Sequence, residues 1–118
     1  ALGAGEILLT SVDKEGTGSG LDYELINQIQ AVTSLPLIAH GGVGRSHDVH
    51  EAFSKHNVDA VCAASIFHYD AAQELKDSVH GVQGNTSFLS SGAIKSNIQA
   101  ISIKELKSEL KSKGIVTR

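Results

Sequence analysis

The sequence predicts an α/β fold built on a short parallel sheet. Three apolar runs, Glu6–Thr10, Leu37–His40 and Ala60–Ala64, show no in/out alternation, the pattern of strands buried on both faces. Each run ends in a turn bearing Gly, Ser or charge, and the first two pass directly into segments of helical period. Strands that alternate with helices imply right-handed crossovers, and therefore parallel pairing.

The elements follow in order. After the first strand, Leu21–Ser34 carries Leu25, Ile26, Ile29 and Val32 at helical spacing and is stopped by Pro36. After the second, Ser46–His56 reads as a helix with Ser46 as its N-cap, Asp48 in its first turn, and Val49, Ala52 and Phe53 on one face. After the third, Ser65 is placed to cap a short helix, and Asp70–Val79 reads as another. Gly81–Asn97 is rich in Gly, Ser and Asn, with Phe88, Leu89 and Ile94 as isolated apolar anchors. Asp70–Ala100 as a whole reads as a long excursion before the last helix. That helix has the clearest signature. Ser102-Ile103-Lys104-Glu105 is a capping box, Ile103, Leu106 and Leu110 form the stripe, Lys111 and Lys113 end it, and Gly114 stops it.

Bulk properties narrow the function classes. The chain has 118 residues, room for one domain, and is 41% hydrophobic and 19% charged, enough to bury a core. A net charge of −3, with Phe53, Phe67, Phe88, Tyr23 and Tyr69 as its aromatics, argues against a nucleic-acid surface. No apolar stretch approaches the roughly 20 residues of a membrane helix, and no secretory leader is visible, so a cytoplasmic location without membrane contact is expected. Cys62, the single cysteine, lies in an apolar run and is expected to be a buried, reduced thiol. The chain starts at Ala1 without Met, as a fragment of a longer protein would.

Chemistry concentrates at the ends of the strands. Gly41-Gly42-Val43-Gly44 directly follows the second strand, where glycines let backbone N–H groups approach an anion. Ala64-Ser65 follows the third, and a helix beginning there would aim its N-terminus at the same spot. Loops of this kind on adjacent strands make a phosphate cradle, although a GGxG by itself is also an ordinary tight turn. Gly16-Thr17-Gly18-Ser19-Gly20 has neither the spacing of a dinucleotide fingerprint nor the ending of a P-loop, and its plain reading is a mobile loop. Glu15, just before it, is either a general acid/base at the mouth of the sheet or a solvated surface carboxylate. His40, beside Gly41, is the histidine best placed to touch a ligand. His47 and His50 are three apart on a helix, but no third ligand completes a metal site, so no metal and no resident cofactor are expected. His68 and Tyr69 have local packing as their plain reading.

Taken together, "GAGEILLTSVDKEGTGSGLDYELI", "LPLIAHGGVG", "VDAVCAASIFHY" and "ISIKELKSELKSKGIVTR" resemble, in order, the C-terminal half of the cyclase family of imidazole glycerol phosphate synthases. A sister barrel of the same pathway, the phosphoribosyl-formimino isomerase, shares similar loops, and "AASIFH" favours the cyclase. The resemblance covers nearly everything outside Asp70–Ala100. It implies a partial (β/α)8 barrel holding strands six to eight of the family, about three βα units with an insertion at 70–100, the whole of 1–118 forming one half-barrel.

The family takes ammonia from a glutaminase subunit and closes an imidazole ring on a phosphorylated ribulosyl substrate, in histidine biosynthesis. By resemblance, Gly16, Gly42, Ala64 and Ser65 would hold a substrate phosphate, with Thr17, His40 and Gly41 beside them. Glu15 stands where the family has Asp, and His40 where it has Ser before the Gly-Gly. The family's two principal aspartates lie on strands one and five, which these residues do not include, so the isolated chain is expected to bind phosphate without completing the reaction. A cyclase-like paralogue that makes amidines on surface sugars, and a non-catalytic assembly module, are the alternatives. Three strands leave bare edges and an open inner face, so a homo-oligomer is expected.

Overall fold

The computed structural model describes residues 3–78 and 97–118. Among them are three strands and four helices: β1 (Ile7–Thr10), α1 (Tyr23–Gln30), β2 (Leu37–His40), α2 (Ser46–Lys55), β3 (Ala60–Cys62), α3 (Ser65–Ser78) and α4 (Ile103–Ser112). The strands form one parallel sheet in the order β1-β2-β3, so β2 is central.

The register explains the burial and corrects two expectations. Ile7 pairs with Leu37, Leu9 with Ala39, and Ala39 with Val61. Side chains alternate along a strand, so these five share a face. That face is covered: Leu37 and Ala39 are buried, and Ile7, Leu9 and Val61 pack against them. The other face carries Leu8, Thr10, Ile38, His40, Ala60 and Cys62. It is not buried, as Leu8 at 60% exposure and an exposed Cys62 demonstrate. The strands are therefore covered on one face only. Cys62 is not the buried thiol its apolar neighbours suggested, because it points away from the helices.

Local chemistry sets the helix ends. Asp22 caps α1, its Oδ1 accepting from the Leu25 N–H at 3.1 Å. The helix stops at Gln30, short of the expected Ser34, and Val32 stands 81% exposed beyond it. There Thr33 Oγ1 accepts from the Leu35 N–H, a local turn that competes with another helical turn just before Pro36. In α2, Ser46 is the first helical residue and Arg45 takes the N-cap position. Val49 and Ala52 are buried as expected, with Phe53 packed beside them.

Ala63 and Ala64 leave the β3 ladder. The Ala64 carbonyl accepts from the Phe67 and His68 N–H groups, so Ala64 takes the cap position expected of Ser65, and Ser65 is the first residue of α3. From there one continuous helix runs through Ser78 where two short ones were expected. Phe88, Leu89 and Ile94, the expected anchors of the excursion, lie outside the described residues. The segment 97–101 packs back on the fold: Ile98 is buried, the Gln99 N–H donates to Gly44 O at 2.7 Å, and the Ile101 N–H donates to Ile66 O at 3.2 Å.

In α4 the capping box forms in both directions, Ser102 Oγ to the Glu105 N–H and Glu105 Oε2 to the Ser102 N–H, both at 3.2 Å. Leu106 and Leu110 are buried against the core, whereas Ile103, expected in the stripe, is 55% exposed. Gly114 ends the helix at φ +82°, a conformation that favours glycine. No helix of the described residues is long and apolar enough to cross a membrane.

Candidate functional site

The C-terminal ends of the three strands and the loops that leave them converge on one cleft. It is lined by Glu15 and Gly16 from the β1–α1 loop, His40, Gly41 and Gly42 from the end of β2, and Cys62, Ala64 and Ser65 from the end of β3. Seven of the eight residues singled out from sequence meet there. Thr17 does not line it. Its hydroxyl turns into its own loop, donating to Lys14 O at 2.7 Å and lying 2.8 Å from Ser19 Oγ.

Backbone crossings build the rim. Gly41 and Gly42 have φ of +97° and +99°. A Cβ on Gly42 would collide with the Gly20 carbonyl, and one on Gly41 would lie 2.7 Å from the Ser11 carbonyl, so side chains are excluded on two counts. The Gly20 N–H donates to Gly42 O at 2.8 Å, which fastens the β1–α1 loop to the β2–α2 loop. With the Ser11 carbonyl accepting from the Glu15 N–H at 3.0 Å, the Gly16–Gly20 stretch is tied down at both ends, not the free loop its composition suggested.

Two carboxylates hold these loops, and neither role was read from sequence. Asp48 is only 5% exposed. Its Oδ2 accepts from the Gly44 N–H at 2.9 Å and the Arg45 N–H at 3.1 Å, and Arg45 Nε lies 3.7 Å from its Oδ1. Tyr23 Oη donates to the Asp48 carbonyl at 3.1 Å, and its ring stacks on His56 at 4.2 Å. Burial, with Glu51 and Asp48 nearby, pushes the Tyr23 phenol well above its ordinary value. Asp22 accepts from Ser11 Oγ at 2.9 Å as well as from Leu25 N–H, and these two bonds hold its carboxyl below the ordinary value. The one local signal for Asp48 was an acid at the third helical position. Its grip on the loop ahead of the helix depends on tertiary placement.

The polar end of the open sheet face lies in the cleft. Thr10, His40 and Cys62 are register partners across the sheet. Thr10 Oγ1 is 3.1 Å from His40 Nδ1, and His40 Nε2 is 3.5 Å from Glu15 Oε2. An imidazole is thus fixed at one nitrogen by a hydroxyl and faces a carboxylate at the other, an arrangement able to move or hold a proton. Beside it, α3 begins at Ser65, and the first N–H groups of any helix lack partners within the helix and carry partial positive charge. His47 is drawn elsewhere, with its Nδ1 3.8 Å from Glu51 Oε2 on α2. Among the described residues no group of three or more His, Cys, Asp or Glu side chains is arranged to hold a metal ion.

Comparison with known proteins shows the family of the chain. The family described as "Histidine biosynthesis protein" matches residues 1–73. The chain is 55% identical over 69 residues to the imidazole glycerol phosphate synthase subunit HisF of Nitrosopumilus maritimus, covering 58% of this chain and 26% of that protein. It is 42% identical over 106 residues to the subunit of the same name from Lactococcus lactis, covering 88% and 36%. The Bacillus cereus subunit is 55% identical over 71 residues, 60% and 28%. The chain therefore spans between a quarter and two fifths of the length of these relatives. The family match ends close to where the excursion was expected to begin.

Proposed function

Because the chain belongs to the histidine biosynthesis protein family, we propose that it is the phosphate-holding part of an imidazole glycerol phosphate synthase cyclase. In this reading its three strands are the last three of a (β/α)8 barrel, and residues 1–118 form a half-barrel with an insertion within 70–100. The observation that carries the reading is the convergence of Gly16, Gly42, Ala64 and Ser65 on one cleft at the carboxyl ends of adjacent parallel strands, beside the start of α3. Phosphate suits such a place: glycine backbone approaches closely, the helix start is electropositive, and the Ser65 hydroxyl lines the wall. Gly41 and His40 border the same anion. Thr17 would serve indirectly, by shaping the loop that carries Gly16.

Glu15 is the carboxylate at the mouth of this cleft, and we assign it acid/base work in the whole protein. Ring closure needs a pair of such groups. By family resemblance the main pair lies on strands outside these residues, so the chain alone binds phosphate and does not turn over. In the whole protein a glutaminase subunit would supply ammonia to a phosphorylated ribulosyl substrate. Amide NMR during titration with a sugar phosphate tests the site: the Gly42 and Ser65 resonances are expected to shift together. Shifts confined to other residues at millimolar ligand would reject the assignment. With ammonia as nitrogen donor, no ring-closed product is expected from the chain alone. Turnover above the uncatalysed rate would mean that Glu15 and His40 suffice as acid and base.

A further inference from the structure

Two polar side chains face each other across the cleft, and their charges bear on any anion that enters. Glu15 Oε2 lies 3.5 Å from His40 Nε2, with the two side chains 49% and 29% exposed. The side of the ring facing β1 is occupied, since Thr10 Oγ1 sits 3.1 Å from Nδ1. A threonine hydroxyl both donates and accepts, so it satisfies Nδ1 whether or not that nitrogen carries a proton. The ring therefore needs no reorientation when its charge changes. An N–H at Nε2 points toward the carboxylate in the imidazolium, and equally in the neutral tautomer whose Nδ1 accepts from Thr10.

We propose that His40 is a proton-linked gate for anion binding, taking up a proton as a phosphate dianion enters the cleft beside Glu15. This rests on the reading of the cleft as a phosphate site. A dianion placed against Gly42 and Ser65 meets the negative Glu15 carboxylate, which opposes it. A neutral His40 does nothing to offset that repulsion. A protonated His40 neutralises Glu15 and places a positive charge at the wall of the cleft, so binding and protonation favour each other. Other titratable groups frame the pair. Cys62 is the register partner of His40 on β3. Asp22 borders the same small hollow as His40 and is engaged by Ser11 and the Leu25 N–H. Lys14 lies against the Gly42 side of the loop. None of these lies between His40 Nε2 and Glu15 Oε2.

Sulfate is the probe, because it stays a dianion across the range in which imidazoles titrate, whereas phosphate does not. Calorimetric titration of the chain with sulfate at about pH 8.5 and about pH 5.5 should give roughly tenfold tighter binding at the lower pH. Near neutrality the binding heat should vary with buffer ionisation enthalpy, reporting proton uptake. His40→Gln, which keeps an N–H donor and removes the titration, should bind with an affinity independent of pH. Glu15→Gln should tighten binding at the higher pH, since the opposing carboxylate is gone. Wild-type affinity that is flat with pH, or a slope that survives in His40→Gln, overturns the gate and leaves the anion site standing. Absence of sulfate binding at both pH values overturns the gate and the phosphate reading together.

Discussion

Asp48 is the residue on which the glycine loop depends, and Asp48→Ala tests that directly. The substitution removes the acceptor for two N–H groups. The bond from the Gly44 N–H is buried, and the approach to Gly44 is closed by the Gly18 and Asn97 carbonyls, which leave no room even for a Cβ. A buried donor without its partner costs roughly 1–3 kcal/mol. The Arg45 N–H is only part-buried, so water replaces Asp48 at a lower cost of about 1 kcal/mol. Together these give a loss of roughly 3 kcal/mol, which at an m value near 1.5 kcal/mol per molar moves the urea midpoint down by about 2 M. Asp48→Asn keeps one oxygen acceptor and loses the charge, and about 1 kcal/mol is expected.

Urea unfolding followed by circular dichroism measures both variants, and sulfate titration of the folded proteins reports on the cleft. Both stability and sulfate affinity should fall in the order wild type, Asn, Ala. An Asp48→Ala protein within about 0.5 kcal/mol of wild type would refute the reasoning. It would mean that the loop holds its shape through the Gly20–Gly42 and Gln99–Gly44 backbone bonds without the carboxylate.

Two further outcomes are expected. Asp22 is held below the ordinary carboxylate value by the Leu25 N–H and then by Ser11, so its contribution is present above the unfolded value and lost as pH falls toward the lowered one. The stability difference between wild type and Asp22→Asn should therefore shrink on acidification from about pH 6 to about pH 2.5, and a constant difference in thermal melts would count against the assignment. The open sheet face, with Leu8 60% exposed and Val12 beyond it 84% exposed, is expected to be covered by a second copy of the chain. Sedimentation equilibrium at micromolar concentration should show a species heavier than 12.4 kDa, and a folded monomer alone would contradict this.

What the sequence revealed follows from how local each signal is. β2 matches its expected bounds, and the α4 capping box was readable because both partners lie within four residues. The cleft residues were readable because glycines at strand ends are restricted by backbone geometry, which is also local. The open face was hidden. Leu8, Ile38 and Ala60 are apolar, so both faces of each run look buried, and nothing within four residues says that only one face receives helices. Asp48 was misjudged for the same reason, since its partners at Gly44 and Arg45 precede the helix, and a serine at the next position offered a simpler cap. The continuity of α3 was masked by polar residues after Tyr69, a helix having a weaker apolar stripe where it is less covered.

One geometric fact connects the cleft to the open face. The two-residue period that puts Leu37 and Ala39 under the helices puts His40 on the opposite side, in line with Leu8, Ile38 and Ala60. The apolar part of that face and the His40–Glu15 pair are thus successive stretches of one surface, the first toward the amino ends of the strands and the second at their carboxyl ends. A cover over the apolar stretch, whether further strands of a barrel or a second copy, that ended where the polar row begins would wall the cleft from one side. Excluding water there lowers the local dielectric, which strengthens the attraction between an imidazolium and both the carboxylate and a bound anion. On the proposed linkage, covering the sheet and charging His40 would act in the same direction on anion affinity.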